Sequence, residues 1–313
     1  MNKLELSREI AKLELKIKQS TDLNEKLELG KKLGELCDKL SKLMDEEKEA
    51  EPFISAKELL SKPEPIIEAI PSGIKLIDDN LGGIIKGAFI QIAAASGAGK
   101  TTLMVKILSS IAKSAPVVHF DFEMGQIKLY RILKNYLKSD KQKENYKIDT
   151  THSKLNDLLS RIKLGISRGI EIFLIDSRMK IETDEKDTYK SASLISHELS
   201  KLTKDYNITI ILINQVSEEA LATGRPSLKG SGDQVYDSDV ILFIQRYIKK
   251  KEKKEDIPET DETKRRIICT KNRFGELFSG DIYKSEVLSE PNYEQTQTQV
   301  INEPQINMPD IQF

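Results

Sequence analysis

AFIQIAAASGAGKTTLM, residues 88–104, sets the terms on which every other segment of this chain is read. Within it, Ala94-Ala95-Ser96-Gly97-Ala98-Gly99-Lys100-Thr101 fits the phosphate-binding pattern G-x-x-x-x-G-K-[ST], with Ala at the first position. An apolar β run, Phe89 to Ala93, precedes the loop, and a helix-period series, Leu103, Ile107 and Ile111, follows it. Glycines at 97 and 99 let backbone N–H groups close around phosphate oxygens, and the positive end of the helix adds to the field. Lys100 is expected to reach the β- and γ-phosphates of ATP and Thr101 to offer its hydroxyl to Mg2+. The nucleotide-binding segment so defined runs from Ala94 through Thr102.

Composition narrows the class. The chain has 313 residues, 38% hydrophobic and 32% charged, so a core forms only if the charge is concentrated outside it. A net charge of −1 gives no global nucleic-acid signature, which leaves any such contact to local basic loops. No apolar run approaches the roughly 18 residues of a membrane span, and MNKLELSREI has no signal-peptide pattern. The expectation is a cytoplasmic protein without membrane contact. Cys37 and Cys269 lack metal-ligand spacing and read as reduced thiols.

Outward from the loop, the chain divides into four. Residues 1–50 form a helical arm or hairpin: Leu6, Ile10, Leu13 and Ile17 make one apolar stripe, and Leu33, Leu36, Leu40 and Leu43 another. Ser20-Thr21-Asp22 between them offers helix N-caps. Residues 51–72, broken by Pro52, Pro63, Pro65 and Pro71 around a short helix at 55–61, read as a linker. From 73 to 285 strands alternate with helices. The strands are expected at 89–93, 117–122, 171–176, 208–213, 240–245 and 266–270, with helices at about 99–114, 125–138, 154–167 and 189–205. Continuous apolar strands with intervening helices mean a mostly parallel α/β sheet covered on both faces, with its ligand at the carboxyl ends of the strands. Residues 286–313, without a basic residue, read as a disordered acidic tail. Residues 249–256, KKKEKKED, read as a solvated hairpin tip.

Those strand ends carry the remaining candidates. Asp176 closes an apolar strand and is placed to orient a Mg2+ shell. Glu123, after HFDF, is placed to polarise an attacking water, with Asp121 as its rival; alternation points Asp121 to a strand face. Gln215, after Asn214, can hydrogen-bond a γ-phosphate and report its loss to the loop that follows. That loop carries Arg225, Lys229 and Gly230, suited to a phosphodiester backbone.

Together these residues resemble the RecA-fold ATPases, and within them the DnaB-like hexameric helicases, with RadA and the plasmid RepA-type helicases close by. The carriers are Ile70–Asp78 with Leu81-Gly82-Gly83, Phe122-Glu123-Met124, the stretch from Ser193 to Gln215, Gly230 with its neighbours, and Lys271-Asn272-Arg273-Phe274-Gly275. The resemblance implies a RecA-like P-loop core behind a helical arm, with Glu123, Lys100 and Gln215 catalytic. It further implies that Lys271 and Arg273 reach a neighbour's γ-phosphate in a hexameric ring. The implied function is an ATP-dependent helicase or translocase on single-stranded DNA in replication. An ATP-gated recombination protein of the RadA kind and a replication loader or adaptor are the alternatives. The basic residue that follows the sensor glutamine in DnaB is replaced by Val216-Ser217-Glu218, and no CxxC marks a RadA-type zinc finger. The tail's end, Met308 to Phe313, looks like the tips with which single-stranded-DNA-binding proteins recruit partners, which implies a replication protein as a further partner.

Overall fold

The computed structural model describes residues 3–49, 55–64, 66–216, 228, 232–248 and 260–288. The chain forms two compact units, residues 1–65 with 156–171, and residues 66–155 with 172–313.

In the first unit, α1 (Lys3–Gln19) and α2 (Leu23–Glu49) lie against each other. Leu6 is buried, and Ile10, Leu13 and Ile17 are half-buried, as are Leu33, Leu36 and Leu40, so the stripes define the covered faces. Asp22 starts α2 by accepting the Asn24 N–H at 2.9 Å. Farther on, α3 (Ala56–Leu60) is capped by Ser55. α8 (Leu155–Ser167) falls almost entirely within this unit, where Arg8 and Glu171 approach to 3.9 Å.

The second unit is built on one eight-stranded sheet. Its strands are β3 (Phe89–Ala94), β4 (Val117–Asp121), β5 (Tyr146–Asp149), β6 (Ile172–Asp176), β7 (Thr209–Gln215), β8 (Val240–Ile248), β9 (Thr260–Asn272) and β10 (Ser279–Tyr283). Their order is β10-β9-β8-β3-β7-β6-β4-β5, parallel from β8 to β5, with β9 and β10 antiparallel at one edge. Every residue of β3, β4 and β6 is buried, as their mainly apolar sequences require when both sheet faces are covered, and the polar Gln91, His119, Asp121 and Asp176 are buried with the rest. Ile90, Ile92 and Ala94 pack with Leu103, Met104 and Ile107 of α5 (Lys100–Ile111). On the other face lies α9 (Thr188–Tyr206), N-capped by Asp187. The small elements of this unit are α4 (Lys75–Leu81), α6 (Gln126–Tyr136), α7 (Asp140–Asn145), α10 (Gly232–Asp237) and α11 (Lys284–Leu288).

Several boundaries differ from the sequence reading. β1 (Ala69–Ile70) pairs with β2 (Ile84–Ile85), which takes the end of the 51–72 linker into the second unit. Gly83 permits that pairing, since a Cβ there would sit 2.1 Å from the Ile70 carbonyl oxygen. Residues 156–171 group with the N-terminal helices. Helix α11 crosses the line drawn at 286. The 249–256 run and the tail beyond 288 lie outside the described residues.

A string of buried polar side chains crosses the α9 face of the sheet. The Arg178 Nε–H donates to Asn214 Oδ1 at 2.8 Å, and Asn214 Nδ2 donates to Gln91 Oε1 at 2.7 Å. Gln91 Nε2 then donates to Ser238 Oγ at 2.7 Å and, more weakly, to Ser196 Oγ at 3.5 Å. Gln91→Leu leaves the Asn214 amide buried without its acceptor. The expected cost is about 1–3 kcal/mol, a fall in Tm of about 2–10 °C by calorimetry. Adding Asn214→Leu should recover part of that loss.

Candidate functional site

The phosphate loop turns out of β3 and into α5. Gly97 (φ +72°) and Gly99 (φ +94°) adopt the left-handed backbone only glycine takes at little cost. A Cβ on Gly99 would meet nothing within 4 Å, so its surroundings leave room for a ligand. Lys100 is buried, its Nζ 3.5 and 3.3 Å from the carbonyl oxygens of Ala94 and Ala95. Thr101 donates its hydroxyl to Asp176 Oδ2 at 2.5 Å.

Asp176 is fully buried, and its Oδ1 has no hydrogen-bond partner among the described residues. Burial pushes its pKa up to about 6 against the Thr101 hydrogen bond, with Glu123 and Asp121 pushing the same way and Lys100 opposing. A hydroxyl and an unpartnered carboxylate oxygen are the hard oxygen donors a divalent cation takes, so Thr101 and Asp176 fit Mg2+.

β4 brings a second group of ionisable residues alongside. Asp121 stands directly opposite Asp176 in the parallel register, 2% exposed rather than at an open strand face. Its Oδ1 accepts the N–H groups of Glu123 at 3.2 Å and Met124 at 3.0 Å, while its Oδ2 has no partner among the described residues. Asp121 therefore shapes the turn that carries Glu123, and the exposed Glu123 is the carboxylate that water can reach. Below them His119 is fully buried, with Nδ1 3.0 Å from the Tyr146 hydroxyl. Burial lowers its pKa to about 4, partly offset by Asp121.

Gln215 ends β7 beside Ala94, exposed, at the same end of the sheet as the loop. Asn214 has both ends of its amide engaged inside the fold and cannot share that role. Lys271 and Arg273 lie elsewhere. Asn272 pairs with Val240 at the start of β8, and the Arg273 N–H donates to the Asp239 carbonyl beside Phe89. β3 has six residues, so this end is separated from the loop by about 16 Å within one chain. Arg273 Nη1 donates to Asp239 Oδ1 at 2.8 Å and Nη2 to the Tyr236 carbonyl at 2.7 Å, which occupies two of its five N–H groups. Lys271 bonds the Val235 and Tyr236 carbonyls, and burial followed by the nearby Arg273 lowers its pKa. One chain thus does not bring Lys271 and Arg273 to its own loop. Arg225, Lys229 and Gly230 lie outside the described residues.

Beside the loop opens a pocket of about 310 Å3, lined by Ala98, Leu103, Ile244, Arg265, Ile282 and Lys284 among others. Its walls are mainly apolar, and Arg265 and Lys284 border it. Sequence reasoning misses Arg265, one charge in the polar run TKRR; only the register of β9 against β8 marks it as inward-facing.

The family described as DnaB-like helicase C terminal domain matches residues 69–143 and 131–286. The replicative DNA helicase DnaB of Treponema pallidum is 25% identical over 240 residues, 66% of this chain and 52% of its own length. A probable plasmid replicative DNA helicase of Chlamydia psittaci is 26% identical over 251 residues, 68% of this chain and 53% of its own. The chain spans about half the length of these curated relatives. Among solved structures, a DnaB-like replicative helicase described with its interactions with primase superposes with a TM-score of 0.57 at 19% identity, over 77% of this chain and 68% of that one. That likeness is one of fold. The parallel sheet, the loop between β3 and α5 and the family match over most of the second unit lead to one assignment: the chain belongs to the DnaB-like helicase C-terminal domain family.

Proposed function

We propose that the chain is an ATP-dependent DNA helicase or translocase that acts on single-stranded DNA in replication as a hexameric ring. The observation that carries this reading is the separation of Lys271 and Arg273 from Lys100 by the length of the sheet. Cations so placed do not reach their own chain's nucleotide, and a closed ring would give every site a neighbour to supply them.

In this mechanism Gly97, Gly99 and Lys100 hold the triphosphate, and Thr101 and Asp176 hold Mg2+. The cation, when bound, neutralises charge on the phosphate oxygens. Glu123 takes a proton from the attacking water, held in place by the Asp121 cap on its backbone. Lys100, with Lys271 and Arg273 of the adjacent subunit, stabilises the charge that builds on the transferred phosphoryl group. Gln215 contacts the γ-phosphate and passes its loss to the loop holding Arg225, Lys229 and Gly230, which grips the DNA backbone. The acidic tail is a docking point for a replication protein.

A forked-duplex assay tests the proposal. Wild-type protein with ATP and Mg2+ is expected to separate the strands, and Glu123→Gln to bind single-stranded DNA with ATP but separate nothing. Wild-type protein that binds DNA in response to ATP without ever unwinding it would favour the recombination-type switch and overturn the motor.

A further inference from the structure

The geometry points to Arg265 as a positioning residue for the phosphate loop: its guanidinium holds the Ala98 carbonyl, and so turns the Gly99 N–H into the cradle. The inference rests on the proposed triphosphate binding at residues 94–101 and adds to it a residue from a distant strand.

Arg265 lies on β9 opposite Arg246 and is 8% exposed, although it sits in the charged run TKRR. Its Nη1 donates to the carbonyls of Glu262 at 3.3 Å and Lys264 at 2.6 Å, and its Nη2 to Glu262 Oε2 at 3.0 Å. These contacts fasten the guanidinium to its own strand. From that anchored position its Nε–H reaches across 167 residues of sequence to the Ala98 carbonyl at 3.1 Å. A planar fork anchored on its Nη side fixes where its Nε–H points, and therefore where the acceptor must stand.

The consequence for the loop follows from peptide geometry. The Ala98–Gly99 bond is trans, so the Ala98 C=O and the Gly99 N–H point in opposite directions. With the carbonyl tied to β9 through Arg265, the N–H faces away from that guanidinium. Gly99 supplies one of the two torsions about this peptide, which makes a flip cheaper here than between two residues with side chains. A flip would present a carbonyl oxygen, not a donor, to a phosphate. Arg265 also lines the pocket beside the loop, so one side chain borders both the cradle and that pocket.

Binding of a fluorescent ADP to the full chain provides the test, with Arg265→Met as the main variant because it keeps the apolar stem and loses every donor. The dissociation constant should rise about tenfold, and KM for ATP by the same factor, while kcat stays near wild type. Adenosine, which has no phosphate to orient, should bind equally to both proteins. Arg265→Lys, which keeps the charge but not the fork, should recover only part of the loss. Unchanged ADP affinity in Arg265→Met would overturn the inference, as would full recovery in Arg265→Lys or an equal loss of adenosine binding. Should Arg265→Met melt well below wild type without nucleotide, Arg265→Gln, which retains a neutral donor, is held to the same outcomes. Lys100→Ala runs alongside: if it binds ADP like wild type, the loop assignment fails and takes the inference with it, whereas failure of the Arg265 variants alone leaves that assignment standing.

Discussion

Replacing Arg273 by alanine should lower the ATPase rate of the assembled protein by about 10^3-fold or more, with nucleotide affinity nearly unchanged. The guanidinium matters most when the transferred phosphoryl group is detached, because only then does charge accumulate that bound ATP does not already carry. In its own chain Arg273 spends two N–H groups on Asp239 and the Tyr236 carbonyl and is 45% exposed at its side chain. Its loss leaves Asp239, 12% exposed at its side chain, without a cation, so Tm should fall by a few degrees while the fold is retained. The decisive form of the experiment mixes two inactive proteins. In a ring assembled from Arg273→Ala and Glu123→Gln subunits, some interfaces join an intact Glu123 on one side to an intact Arg273 on the other. Activity above either parent, peaking near equal proportions, is the expected result. If no mixture exceeds its parents, the cations do not act across an interface.

Asp176→Asn should separate activity from stability. Hydrolysis should fall about 10^2-fold or more, because the Mg2+ ligand loses its charge. The metal-free protein should become more stable, by about 3 kcal/mol above pH 6. The sign follows from burial, which raises the carboxyl from 3.8 to about 6 in the folded chain. Between those values the folded state keeps a proton that the unfolded state has released, so stability declines as pH rises through the window. Above pH 6 the whole penalty of an ionised buried carboxylate is present, and asparagine removes it while still accepting the Thr101 hydroxyl. His119 acts in the opposite sense. Its imidazole titrates near 4 when folded against 6.5 otherwise, so its support is complete above 6.5 and is withdrawn as pH falls toward 4. The two slopes oppose each other in wild type, and Asp176→Asn removes the carboxylate's. Chemical denaturation with EDTA from pH 4 to 8 should show a variant advantage over wild type that widens with pH.

The parts of the fold legible in the sequence are those whose signal is local. Phe89–Ala94 and Ile172–Asp176 are apolar runs interrupted only by Gln91 and the closing Asp176, and Asp22 sits where a cap belongs. The strands without such a signal, Tyr146–Asp149 and Ser279–Tyr283, are the two outermost of the sheet, where one side lacks a neighbour and polar residues are tolerated. β9 is legible only at 266–270 and runs from 260 to 272, because its charged half is inward-facing only through Arg265. From sequence Asp121 is a rival base. Its action as a cap for Glu123 depends on how the chain turns after β4, which periodicity does not encode. Gln91 is one polar letter in an apolar run, and its three partners lie at least 105 residues away.

That glutamine has a consequence for assembly of the sheet. Strands made of isoleucine, leucine and alanine distinguish poorly between one alignment and the next, since each offers much the same greasy surface. A shift of β3 by a single residue would swing the Gln91 amide among Leu103, Met104 and Ile107, with nothing there to accept or donate. A shift of two would keep the correct face but carry it about 6.6 Å from Ser238 and Asn214. Either error strands several amide groups away from water at once, so the least hydrophobic side chain in the centre of the sheet is the one that tells the strands where to stop.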